Sequence, residues 1–203
     1  MEKNFARFIS IVFHPLLHPL YGLVFLFHSG FYISYLPAVS KQWIYLIVIA
    51  NTILIPLSFF PFYLYKGIIH SIQMETKKER LIPLAVQLGL FYIAYFLFKK
   101  FQVPLLLRNY ILAGILTNFV ILLFSFKIKI SIHLTSLGAL TGIILSLCLK
   151  YPAPVIYLMF LFLISGFTAF ARLKLQAHNP FQVYLGYVTG LLTSGLLFYF
   201  LLP

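Results

Sequence analysis

The residues of this 203-residue chain that could do chemistry gather in three short stretches, each standing directly before a long apolar run. METKKERLIP, residues 74–83, holds Lys77, Lys78 and Arg80 and ends on Pro83. KIKISIHLTS, residues 127–136, holds Ser131 and His133. FARLKLQAHNPFQ, residues 170–182, holds Arg172, Lys174, His178 and Gln182, with Asn179 suited to cap a helix and Pro180 to begin it. A helix amino terminus carries about half a positive charge and unpaired N–H groups, so cations placed there are unfavourable on their own. Three helix starts furnished with Arg, Lys or His would repel one another unless an anion lay among them. Phosphate is the natural occupant, because backbone N–H groups and arginine forks both suit its oxygens. For Lys3, Lys99, Lys100 and Lys150 a plainer reading holds: long cationic side chains at span ends that reach the lipid headgroups.

The elements that must position these residues follow from the hydrophobic runs. A bilayer core about 30 Å thick calls for roughly 20 apolar residues per helix. Seven runs qualify, at about 8–28, 42–65, 82–98, 104–126, 131–149, 153–171 and 180–202. Lipid offers the backbone no hydrogen-bond partner, so the runs must be helical. The expected fold is therefore all-α, a polytopic transmembrane helical bundle of six to seven spans, forming a single integral membrane domain over residues 1–203. The first run follows Lys3 and Arg7 but is interrupted by His14, Pro15, His18 and Pro19, and reads as a retained span rather than a removed signal peptide. Pro56 and Pro61 predict a bend in the second. Gly138 and Gly142 follow His133, and Gly186 and Gly190 follow His178, each pair at the spacing that lets membrane helices approach closely. If those faces meet, the two histidines come together.

With seven spans, the amino terminus and all three stretches share one membrane face. Ten of the 15 Lys and Arg lie on that face, which the positive-inside rule makes cytoplasmic. Setting aside Lys77, Lys78, Arg80 and Arg172 as ligand-binding leaves six against five, and the bias then orients nothing.

Composition bounds the rest. At 62% hydrophobic and 9% charged residues, with a mean hydropathy of +1.01, the chain is a multi-pass integral membrane protein, expected in the cell membrane. Its net charge of +12 points to membrane lipids as partners and not to nucleic acid, because no basic soluble module exists. The acidic residues are Glu2, Glu75 and Glu79, none inside a predicted span, which argues against a carboxylate proton relay or a carboxylate-rich metal centre. Cys148 alone can form neither an internal disulfide nor a cysteine-based metal site. No metal or other cofactor is expected. A haem reading, from His14 and His28 fourteen residues apart, lacks a facing span with an interior histidine pair.

The three stretches resemble the motifs of the type 2 phosphatidic acid phosphatase superfamily of membrane lipid phosphatases, in a divergent bacterial form. The third family motif is Ser-Arg, five residues, His, three residues, Asp; here Ala171-Arg172 is followed at that spacing by His178 and Gln182. The second, Pro-Ser-Gly-His, is matched at Ser131 and His133, and the first, Lys, six residues, Arg-Pro, at Arg80. The resemblance covers roughly residues 70 to 190. It implies metal-independent hydrolysis of an ester or anhydride in a lipid phosphate or isoprenoid diphosphate, through a phosphohistidine. His178 would attack phosphorus and His133 protonate the leaving oxygen. Arg80 and Arg172 would hold the phosphoryl oxygens, aided by Lys77, Lys78 or Lys174, with Ser131 donating a hydrogen bond. Gln182 occupies the place of the aspartate that orients the nucleophile; it can accept from the ring N–H but brings no negative charge. Ala171, Gln182, Gln73 and Leu81 depart from the motifs and keep a second reading open. In that reading the protein is noncatalytic and uses the same scaffold to bind or move a phospholipid or isoprenoid phosphate.

Overall fold

The computed structural model describes residues 2–71, 73–74, 76–151 and 155–202. Among them are nine α-helices and no strand: α1 (Glu2–Val12), α2 (His18–His28), α3 (Ala38–Ile49), α4 (Ile55–Tyr65), α5 (Leu81–Lys100), α6 (Leu105–Lys127), α7 (Ile132–Lys150), α8 (Ile156–Lys174) and α9 (Pro180–Leu201). Taken with their short helical extensions they make seven segments long and apolar enough to cross a membrane. The all-α, multi-pass reading is thus realised. The predicted start of the sixth span at residue 153 lies outside the described residues.

Two of these segments break regular helix in their interior, and both do so at prolines. Between α1 and α2 the helix stops. His14 caps a 3₁₀ turn, Pro15–Leu17, its Nδ1 accepting from Leu16 N at 3.3 Å. Pro15 and Pro19 have no N–H to give, so a continuous helix would lose two bonds here. Between α3 and α4 the chain instead widens into a π-helix, Ala50–Leu54, just before Pro56. Asn51 and Thr52 return side-chain hydrogen bonds to the Ile47 and Val48 carbonyls at 2.9 Å each.

The contacts divide the chain into two compact units, one of Met1–His18 with Ile130–Pro203 and one of Pro19–Lys129. In the first, α7 and α9 pack backbone to backbone. A Cβ on Gly142 would stand 2.8 Å from Gly195 N, and one on Gly186 2.9 Å from Ser131 O, so only glycine permits this approach. Ser146 Oγ also donates across the pair to Gly195 O at 2.8 Å. α1 packs on α8, with Ala6 and Ile9 buried against Ala171. In the second unit, Asn118 of α6 donates to Leu84 O of α5 at 3.2 Å, and Gln87 of α5 to Asn51 O of the π-helix at 3.4 Å. Tyr110 donates to Pro19 O at 3.0 Å and covers Gly22. Such amide bonds between spans hold helices together where lipid supplies no hydrophobic drive.

Candidate functional site

The third stretch is built by the end of α8 and the start of α9. α8 stops at Lys174, Gln176 turns the chain with a φ of 52°, and Ala177 N donates back to Arg172 O at 3.1 Å. Asn179 then opens α9 through a reciprocal cap. Its Oδ1 accepts from Gln182 N at 2.9 Å, and Gln182 Oε1 accepts from Asn179 N at 3.4 Å. The same Oε1 lies 3.0 Å from His178 Nδ1. Because the Asn179 N–H can only donate, the atom it meets is the amide oxygen, and His178 Nδ1 must be the protonated nitrogen. In the neutral ring the lone pair is then on Nε2.

The second stretch is tied to this cap. Ser131 N donates to Gln182 O at 3.1 Å, fastening the start of α7 to the first turn of α9. Ser131 and Thr135 stand against Gly186, so the glycine faces meet as the spacing predicts. The residue they carry to the start of α9 is Ser131. His133, two positions on, points about 200° around the helix from it. Its Nε2 lies 3.2 Å from the Ser10 carbonyl of α1, and its ring meets the ring of His14 edge to face, centroids 5.4 Å apart. A carbonyl accepts only, so Nε2 of His133 bears the proton.

Arg172 completes the arrangement. It donates from Nη1 to Ser10 Oγ at 3.4 Å, while its Nε is buried and has no hydrogen-bond partner among the described residues. The same is true of the Ser131 hydroxyl, whose residue is fully buried. Buried polar atoms left in this way are costly and call for a partner. Lys174 is occupied instead: its ammonium pairs with the Glu2 carboxylate.

Arg80, Lys77 and Lys78 belong to the other unit, in and beside a 3₁₀ turn, Lys78–Arg80, that leads into α5. Glu79 organises that turn, accepting from Thr76 Oγ1 at 2.8 Å and from His70 N at 3.4 Å. Arg80 is buried and donates from Nε to Met74 O at 3.1 Å. Lys77 donates to Lys127 O at 3.2 Å, and Lys78 is exposed.

Ser10 was not among the candidates read from the sequence, and His14 was weighed there only as a haem ligand, yet they touch Arg172 and His133. Their four-residue step, continued by the buried His18, was the available signal. Chemically the first unit offers two imidazoles of defined tautomer, a guanidinium with an unengaged N–H and a buried hydroxyl, at the ends of α1, α7, α8 and α9. They fall in two clusters, His178 with Gln182 and Ser131 at the start of α9, and Arg172 with His133 at Ser10 of α1; guanidinium and hydroxyl donors of this kind suit the oxygens of a phosphate. Comparison of the chain with protein-family models, with curated proteins and with solved structures finds no match in any of the three.

Proposed function

We propose that the protein is a membrane lipid phosphatase that works without a metal, hydrolysing a phosphate ester or anhydride of a lipid phosphate or isoprenoid diphosphate through a phosphohistidine. The observation that carries this reading is the bond from His178 Nδ1 to a Gln182 oxygen that the helix cap has already fixed. It leaves the Nε2 lone pair as the nucleophile. Nε2 of His178 attacks phosphorus, the bond from phosphorus to the lipid oxygen breaks, and His133 delivers a proton to that oxygen, releasing the lipid alcohol or lower phosphate. Its Nε2–H is held by the Ser10 carbonyl, so the proton passes through Nδ1, which takes it from the phosphate monoanion and hands it to the leaving oxygen. Water then attacks phosphorus and gives a proton to Nδ1 of His133, which passes it to the departing phosphate as the bond from His178 Nε2 to phosphorus breaks, giving inorganic phosphate and restoring both histidines. Arg172 and the Ser131 hydroxyl supply the hydrogen bonds that the phosphoryl oxygens gain as charge builds.

A second reading rests on the same glutamine. Gln182 brings no negative charge to favour a cationic His178, and its oxygen is shared with the cap. On that reading the set binds a phosphorylated lipid and turns nothing over.

The deciding experiment is release of phosphate from a panel of lipid phosphates and diphosphates by detergent-purified protein, without added metal, beside His178→Ala. Release that vanishes in the variant is the expected result. Release unchanged in the variant removes His178 as the nucleophile, and binding without release by the natural chain selects the second reading. Arg172→Ala is expected to weaken phosphate binding under both.

A further inference from the structure

We infer that α1 lies in the membrane surface as an amphipathic helix docked on the anionic headgroup layer, and is not the outer half of a membrane-crossing helix. At 100° per residue its eleven residues divide into three sectors. Ala6 and Ile9 are buried on α8. Phe5, Phe8 and Val12 form an adjoining apolar stripe, with Phe5 48% and Phe8 61% exposed. Lys3, Arg7 and Asn4 occupy the third sector, where Ile11 is the one apolar residue. An apolar stripe beside a cationic one is the pattern of a helix half-sunk in the headgroup region.

Glu2, Ala6, Ile9 and Ser10 spread over about 12 Å of α1, at 1.5 Å per residue. They meet α8 at Ala171, Arg172, Lys174 and its following residue Leu175, a stretch of about 6 Å on the same scale. The contacts that α1 makes on α8 thus gather at the last turn of α8. The helix stops at Val12 and the chain turns at His14 and Pro15, so nothing commits α1 to the direction of α2. A crossing helix would also carry Arg7 into hydrocarbon, where a cation is costly.

Charge selects the occupant. The only carboxylate of α1, on Glu2, is taken by Lys174, so the exposed charge left on the helix is that of Lys3 and Arg7. The partner that fits Phe5 and Phe8 beside those cations is the anionic lipid surface of the bilayer that holds the protein.

The test is depth. In full-length Cys148→Ala protein, nitroxide labels are attached through Asn4→Cys, Phe5→Cys, Ile11→Cys and Val12→Cys. The protein is placed in phosphatidylglycerol and in phosphatidylcholine vesicles, and depth is read from accessibility to oxygen against a soluble nickel chelate. Positions 5 and 12 share one direction around the helix, and 4 and 11 share another about 100° away, on the flank of the apolar stripe. Equal depth within each pair, with 5 and 12 the deeper pair, is expected. Position 12 about 10 Å deeper than position 5, at 1.5 Å per residue, overturns the inference. Labels at 5 and 12 closed to both reagents would mean that a second copy covers the stripe, which overturns it as well. In phosphatidylglycerol the labels are expected to be several-fold less mobile than in phosphatidylcholine, a difference lost in Lys3→Gln/Arg7→Gln. Equal mobility in both lipids overturns the anionic partner. Should the cysteine set misfold, Phe5→Trp and Val12→Trp in a Trp43→Phe background give the same comparison by quenching with lipids brominated at known depth.

Discussion

Gln182 serves two neighbours with one oxygen, and that sharing sets what its replacement does. Gln182→Glu keeps an acceptor for Asn179 N and His178 Nδ1 and adds the missing charge, so turnover is expected to rise, by about tenfold, the scale of one stronger charged hydrogen bond. Gln182→Leu removes the one acceptor that both neighbours share; turnover should be lost and thermal stability in detergent reduced by about 1 kcal/mol, the usual worth of a cap. A fall in rate for the glutamate variant would refute the role given to position 182. Ser10→Ala removes the hydroxyl that receives Arg172 and is expected to raise KM for a lipid phosphate about tenfold, with Ser10→Thr restoring it. At this scale the sequence was informative where partners are near in the chain. Arg172, His178, Asn179 and Gln182 lie within eleven residues, and helix geometry alone brings the last three together. Ser10 was not legible, because its partners stand 123 and 162 residues away and no local pattern encodes such a meeting.

For the helices, the glycines separate structural necessity from tolerance. A Cβ on Gly190 would press on the Thr135 carbonyl and stand 2.7 Å from Ala139 N, both backbone atoms that cannot turn aside. Gly190→Ala should force α7 and α9 apart and cost about 3 kcal/mol, the upper range for overpacking. Gly166, in α8, has nothing within 4 Å of where a Cβ would be, so Gly166→Ala should be neutral or stabilising by up to about 1 kcal/mol. Thermal unfolding of the two variants side by side checks the contrast. Helix number, type and the α9 cap were readable from run length and from Asn-Pro, since these are local properties. Where the helices pause was only half readable. Prolines mark a missing N–H, but not whether the backbone answers with a break, as after Val12, or with a π turn, as before Pro56.

The whole molecule joins the two ends of its sequence in one unit and its middle in another, an arrangement that composition, uniform from end to end, does not announce. Charge is the property that belongs to the entire chain. With 15 basic against 3 acidic residues, and Glu2 and Glu79 already engaged, most of the cations have no carboxylate to meet. Thermal stability in detergent should therefore rise on adding phosphatidylglycerol and not phosphatidylcholine, and the gain should shrink at about 1 M salt, where the screening length falls to about 3 Å. An equal gain from both lipids would show that charge is not what selects them.

The π-helix at Ala50–Leu54 has a consequence in the currency of inheritance. A π turn holds one residue more than the α-helix it interrupts, and the flanking helix keeps its phase on either side. Deleting a single codon elsewhere in a membrane helix rotates everything beyond it by about 100° and turns buried faces to lipid. Here the same deletion would close the turn to α and leave Ala38–Ile49 and Ile55–Tyr65 in register, at the expense of the bond that Gln87 makes to Asn51. This is the place in the chain where an added residue can have been accepted without rebuilding the bundle, and where losing one again would do least harm.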